Sequence, residues 1–204
     1  MLNVNRRTVN TTAPLLAVLI VAALIVIFGP DERTLGNGIK SVYVHVPLTV
    51  IGRLALTLTG IFGAVALLTA RASISRIAQI VGWTGLALLS AGFMVSLYSS
   101  YDNWGAIFWD EPRTKAVMQV IALTLIVQVL VSWRPPVRVR GLLHALMTIG
   151  MTWLLTNADL VLHPENPITT SNATDIQITF SVLILLCLAS ATWIVWRSLR
   201  TETL

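Results

Sequence analysis

The sequence predicts an all-α integral membrane protein, a bundle of six transmembrane helices with both termini in the cytoplasm. Of 204 residues, 55% are hydrophobic and only 11% are charged, and the mean hydropathy is +0.78, values outside the range of soluble domains. Apolar runs of membrane-spanning length recur along the chain, and the basic residues cluster between alternate runs. We treat residues 1–204 as a single transmembrane domain.

The apolar runs give the spans directly, since a helix needs about 20 mostly apolar residues to cross a hydrocarbon core of roughly 30 Å. The six predicted spans are approximately Ala13 to Phe28, Val46 to Ala70, Ile77 to Leu97, Ala116 to Trp133, Leu142 to Leu162 and Ile176 to Trp196. The first is short and follows two arginines, as a signal peptide would, but no small-x-small cleavage site follows it. We therefore predict that it is retained as a helix.

The charged residues orient the bundle by the positive-inside rule. With the N-terminus in the cytoplasm, the inner side holds nine of the fourteen Lys and Arg residues: Arg6, Arg7, Arg71, Arg76, Arg134, Arg138, Arg140, Arg197 and Arg200. The excess of basic over acidic residues, a net charge of +5, is then a topology signal, and no nucleic acid is expected as a partner. The outer loops, residues 29–45, 98–115 and 163–175, hold most of the remaining charged residues, and we expect them to carry nearly all the functional chemistry.

Two of the three histidines are predicted at this outer surface. His45 lies beside Pro47, which is placed to open span two in its first turn, and His163 follows span five. Each alone has the ordinary interpretation of an interfacial residue. Together, with an aromatic loop between them in the chain, they match what a haem iron accepts as axial ligands. Lys40, Arg113 and Lys115 are cations available for the haem carboxylates.

The loop reads "NWGAIFWDEPRT" and combines aromatic rings with charges. An interfacial aromatic belt accounts for the other tryptophans, but Trp104 and Trp109 come with a glycine, two acids and an arginine in one short segment. A large flat ring with an anionic edge would explain the mixture.

Two further residues have open interpretations. Arg53, about 12 Å below His45 along span two, either contacts a haem carboxylate or a substrate, or forms a structural pair with a buried amide or carbonyl such as those near Gln119 or Gln128. His144, near the inner end of span five, is predicted to be structural. Because three histidines cannot supply the four ligands of two stacked haems, a b-type electron-transfer subunit is disfavoured. The single cysteine, Cys187, is expected to be a packing residue.

In order and spacing, these residues resemble the CcmC family of haem-handling proteins in cytochrome c maturation. The resemblance is carried by "YVHVP" at the start of span two, "WG" and an acid followed by Arg in the outer loop, and "LHP" after span five. It covers nearly the whole chain, and the loop resembles the family's WWD domain. Aligned without a gap to "WGTWWVWDARLT", Phe108 takes an aromatic position, Glu111 takes the acid and Arg113 stays in register, whereas alignment on "WD" leaves the loop one residue short.

The resemblance implies a carrier of haem b in the plasma (inner) membrane, with its functional loops in the periplasm, rather than an enzyme. Haem would be ligated by His45 and His163, and the other contacts would come from Lys40, Trp104, Gly105, Phe108, Trp109, Asp110, Glu111 and Arg113. The implied partners are a CcmE-type haem chaperone, ABC transporter subunits of the CcmAB type, a small CcmD-type subunit and membrane lipid. The alternative is a haem-free permease or scaffold with a polar path around Arg53.

Overall fold

The computed structural model describes residues 6–159 and 173–201, and it describes the side chains of residues 12–159 and 173–200. These residues form six α-helices. In chain order they are α1 (Arg6–Phe28), α2 (Ile39–Thr69), α3 (Ala72–Trp104), α4 (Pro112–Ser132), α5 (Val137–Thr156) and α6 (Thr174–Thr201). The prediction of an all-α chain is confirmed.

Five of these helices, α2 to α6, are long and apolar enough to cross a membrane. In α1 the apolar part that the structure describes, Thr12–Phe28, is shorter than a full span. The chain is therefore an all-α protein with the helices of a multi-pass membrane protein. That α1 is a sixth span remains a prediction.

The second helix begins earlier than predicted, at Ile39 instead of Val46. Our placement of Pro47 in its first turn was therefore wrong: Pro47 lies inside α2 and is buried. Proline has no N–H, so α2 lacks the hydrogen bond that residue 47 would normally donate to the carbonyl of residue 43, in the turn that contains His45. Hydropathy missed the first turns because they contain Lys40 and Ser41, which are polar but compatible with a helix.

The third helix extends through the first half of the predicted outer loop, which we had placed at 98–115. It ends only at Trp104, where Gly105 adopts a left-handed conformation with φ +72° and donates its N–H to the carbonyl of Tyr101 at 2.8 Å. Glycine adopts this conformation without the steric cost that a side chain would bring. The loop is therefore only residues 105–111, and α5 also ends early, at Thr156.

The connections between consecutive helices from α1 to α5 are short and make these helices antiparallel. We call the end of the bundle formed by residues 29–38, 105–111 and 157–159 the loop face, and the end formed by residues 70–71 and 133–136 the arginine face. Two contacts orient α6: Phe180 packs edge-on against Tyr43 near the loop face, and the carbonyl of Leu199 accepts a hydrogen bond from Arg76 near the arginine face. Asn103 also donates to the carbonyl of Gly38, joining α3 to the start of α2.

Glycines allow α2 to pack closely against α3 and α5. A Cβ at Gly52 would lie 2.7 Å from the backbone nitrogen of Leu89 in α3, and a Cβ at Gly141 in α5 would lie 2.5 Å from the backbone nitrogen of Leu67 in α2. Small residues at such positions are the usual basis of helix association in membranes, where lipid provides no hydrophobic driving force between helices. The close approach determines where side chains of α2 and α3 meet.

Apolar side chains form two clusters of buried residues. The larger joins α2, α3, α4 and α5 and includes Leu56, Leu89, Val120 and Met147. The smaller, near the loop face, joins Tyr43 of α2 to Phe180 of α6, with Ile25 of α1 packed against it. The larger cluster lies beneath the cavity described below.

Candidate functional site

A cavity of about 250 Å³ near the loop face brings together one of the two predicted histidines and two arginines. It is lined by His45 and Arg53 of α2, by Arg113 of α4 and by Leu155 at the end of α5. Arg53 is exposed, so the cavity opens at the side of the bundle. We call it the His45 cavity.

His45 is held in one tautomer by α3. Its Nδ1 lies 2.9 Å from the carbonyl oxygen of Gly92, and because a carbonyl can only accept, Nδ1 carries the proton. In the neutral ring the lone pair is then on Nε2. A histidine that ligates a metal commonly donates its other ring N–H to a backbone carbonyl in this way, which also fixes the ring orientation.

Gly92 allows this hydrogen bond because it lets the two helices approach. A Cβ at position 92 would lie 3.0 Å from the backbone nitrogen of Thr49, one turn after His45. Thr49 in turn donates its hydroxyl hydrogen to the carbonyl of His45. The imidazole is thus positioned by the contact between α2 and α3 and not by the loop between α3 and α4.

Arg113 and Arg53 enter the cavity from different helices. Arg113 donates from Nη1 to the carbonyl oxygen of Leu155 at 2.7 Å, satisfying one of the carbonyls that the end of α5 leaves without a helical partner. A pair between Arg53 and the amide of Gln128, one of the two open interpretations, is not found among the described residues: Gln128 is fully buried against Gly82 of α3, in the half of α4 nearer the arginine face. No Asp or Glu lines the cavity among the described residues.

The aromatic loop residues do not line the His45 cavity. Trp104, at the end of α3, is 52% exposed and Trp109 is 51% exposed, and Phe108 between them is also exposed. Tyr98 and Tyr101 of α3 add to this exposed aromatic surface. The aromatic rings of the loop are therefore exposed at the loop face, outside the cavity. Gly105, which was predicted to contact haem, ends α3.

The two acids of the loop have structural partners. Glu111 is the N-cap of α4: its carboxylate accepts hydrogen bonds from the backbone N–H of Thr114 at 2.6 Å and from the Thr114 hydroxyl at 3.0 Å. Asp110 forms an ion pair with Lys115 at 2.9 Å, and the hydrogen bond and charge of Lys115 lower the pKa of Asp110. Both acids fix the start of α4, and with it Arg113.

We expect that Glu111→Ala destabilises the protein by about 1 kcal/mol, the usual cost of losing an N-cap. Thermal unfolding in detergent, followed by tryptophan fluorescence, measures this effect. Asp110→Ala is the matched control, since an exposed ion pair contributes between about 0 and 1 kcal/mol. Equal midpoints for wild type and Glu111→Ala would show that the cap is not needed.

The remaining predicted residues are Lys40 and His163. Lys40 lies 3.1 Å from a carboxylate oxygen of Asp31 and donates to the carbonyl of Gly29, so it ties the loop after α1 to α2. His163 lies outside the described residues, and its part in the site stays a prediction.

The third histidine does not belong to the site. His144 is fully buried in α5, with its Cβ 2.6 Å from where a Cβ of Gly63 would be. Within the described part of the chain neither ring nitrogen has a hydrogen-bond partner. This placement is consistent with our interpretation of His144 as a structural residue.

Sequence reasoning missed that Arg53 and Arg113 share one cavity. The signal was present, because Arg53 is the only charged residue inside the second apolar run and such a charge requires a polar environment. Its partner depended on helix packing, which spacing along the chain does not reveal.

Comparison with known proteins gives no family. No protein-family model matches the chain, and no curated protein matches it. The function must therefore be argued from the site itself.

Proposed function

We propose that the protein binds haem b at the outer surface of the plasma membrane and presents it to a haem chaperone of the CcmE type for cytochrome c maturation. The observation that carries the proposal is the hydrogen bond from His45 Nδ1 to the Gly92 carbonyl, since it prepares Nε2 as a ligand beside a cationic cavity. The sequence resemblance to the CcmC family supplies the class of ligand. The protein would be a carrier, and no substrate bond needs to be cleaved.

In this proposal six helices span the membrane, both termini are cytoplasmic and the loop face is periplasmic. The distribution of basic residues supports this orientation. Arg71 and Arg134 lie in the connections of the arginine face, and Arg76, Arg138 and Arg140 lie within the first turns of the helices that follow them. The loop face then presents the exposed tryptophans at headgroup depth.

The residues of the site fit an amphiphilic ring with carboxylates. His45 offers one axial ligand, and we propose His163 as the second from its position in the sequence alone. Arg113 and Arg53 supply positive charge for the carboxylates, and Trp104, Phe108 and Trp109 supply rings for packing. A cavity of about 250 Å³ is smaller than those that enclose drug-sized ligands, so the haem would remain largely accessible to a partner.

This accessibility suggests how release occurs. A partner histidine can displace a protein ligand when the axial bonds are weak and one edge of the cargo is open. The haem cargo would supply the iron that both proteins bind. The residues of this chain would orient the haem and keep its carboxylates near cations. ABC transporter subunits of the CcmAB type and a small CcmD-type subunit are the further partners we propose.

Haem transfer tests this function. Purified protein loaded with haem in detergent is mixed with an apo-chaperone of the CcmE type, the two are separated by affinity tag, and the Soret absorbance of each is measured. We expect haem to appear on the chaperone, and to do so in smaller amounts with His163→Ala, while His144→Ala behaves as wild type. Haem that stays on the loaded protein, or that never binds to it, would contradict the proposal.

One observation favours a second candidate, a haem-free permease or scaffold. Arg53 lines a second cavity of about 330 Å³ between α2 and α5, together with Thr57, Thr152 and Thr156. Two cavities that share an arginine resemble part of a polar path. This candidate predicts that Arg53 substitutions abolish function whereas His45 substitutions do not.

A further inference from the structure

The side of the bundle between α2 and α5 contains an arginine with no described partner. Among the described residues the guanidinium of Arg53 has no hydrogen bond or ion pair, although its own helix and α5 surround it with apolar side chains such as Val50, Leu54 and Met151. Arg113 faces the same His45 cavity and donates one of its five N–H groups to Leu155. Two neighbouring guanidinium groups without a carboxylate between them repel each other, and a bound anion would stabilise both.

Depth along α2 indicates where this anion lies. Arg53 is about 24 Å from Thr69 at the arginine face, and His45 is about 36 Å from it, at 1.5 Å per residue. With Thr69 at one edge of a hydrocarbon core of roughly 30 Å, Arg53 lies just inside the opposite edge. An arginine at that depth reaches the headgroup layer by extending its side chain.

The surface below Arg53 is mostly apolar, apart from the threonines that line the second cavity. On α2 the exposed residues Leu54, Leu58 and Ile61 follow one another at helical spacing from Arg53 towards the arginine face. On α5, Ile149 and Trp153 are each 64% exposed. A ligand with an acidic head at Arg53 would therefore have its body against hydrocarbon-compatible side chains.

We infer that Arg53 and Arg113 form a binding site for the phosphate or carboxylate head of an amphiphile, which enters sideways from the lipid between α2 and α5. Guanidinium groups bind both anions through paired hydrogen bonds. The head can come from an anionic phospholipid or from the carboxylates of the haem cargo. Only the second source rests on the proposed function.

Ligand binding to the purified full-length chain in neutral detergent tests the inference. The probes are short-chain phosphatidylglycerol, a diacylglycerol of the same chain length, inorganic phosphate and haem, and the variants are Arg53→Gln, Arg53→Lys and, as matched control, Arg71→Gln at the arginine face. We expect phosphatidylglycerol or haem to bind wild type about tenfold more tightly than Arg53→Gln. Arg53→Lys should retain part of this difference, and Arg71→Gln should bind as wild type does.

The outcomes separate the sources. If Arg53→Gln loses only phosphatidylglycerol binding, the anion comes from lipid. If it loses only haem binding, the anion comes from the cargo. If His45→Ala abolishes haem binding but phosphatidylglycerol still binds, the lipid site holds independently of the proposed function. The inference is overturned if two results occur together: diacylglycerol or inorganic phosphate binds as tightly as phosphatidylglycerol, and haem binding is the same in Arg53→Gln as in wild type. It is also overturned if Arg53→Gln, shown by thermal unfolding to be folded, binds both amphiphiles as tightly as wild type does.

Discussion

Replacing His45 with alanine is expected to weaken haem binding by at least about 100-fold, since changes to the groups that merely support a metal ligand already cost about 10–100-fold. The substitution removes the imidazole that we propose as an iron ligand, while the close approach of α2 and α3 at Gly92 remains. Equilibrium titration of the detergent-purified protein with haem, followed at the Soret band, measures the effect.

His144→Ala is the control for this titration, because it removes an imidazole of the same chemistry from the core, away from the His45 cavity. Its haem affinity should equal that of wild type. If His45→Ala binds haem as tightly as wild type does, His45 is not part of the haem site.

Inserting a single methyl group at Gly52 is expected to cost about 3 kcal/mol, the upper end of the usual cost of overpacking. The new Cβ would lie 2.7 Å from the backbone nitrogen and 3.0 Å from the Cα of Leu89. Backbone cannot move aside as a side chain can, so α2 and α3 must separate. Thermal unfolding of Gly52→Ala in detergent should show a markedly lower midpoint.

Gly150→Ala provides the comparison, because its Cβ would meet only the flexible end of Leu123 at 3.0 Å. Its midpoint should stay near that of wild type. If Gly52→Ala and Gly150→Ala unfold at the same temperature, the close approach of α2 and α3 does not limit stability.

Hydropathy was enough to predict the helical class and the approximate positions of the helices, because each apolar run is long and bounded by charged or turn-forming residues. It failed at the loop-face ends of α2 and α3. Ser99, Ser100 and Asn103 are too polar for a span, yet α3 continues through them until Gly105. A helix that extends beyond hydrocarbon does not require apolar residues, so polarity and helix boundaries diverge there.

The candidate site was predictable only in part. Residue types and their order identified His45 and Arg113, which the fold brings to one cavity. They did not reveal that Glu111 caps α4 or that Lys40 pairs with Asp31, because a charged residue in a loop serves a ligand and a helix terminus equally well. Which of the two roles a charged residue has depends on the neighbouring groups with which it pairs in the folded structure.

The reduced-minus-oxidised absorption spectrum of the protein, purified in detergent from haem-replete cells, tests the central claim most directly. We expect a Soret band and the narrow visible bands of six-coordinate haem, at close to one haem per chain. A spectrum without haem features would contradict the account, and would favour the haem-free permease or scaffold around Arg53.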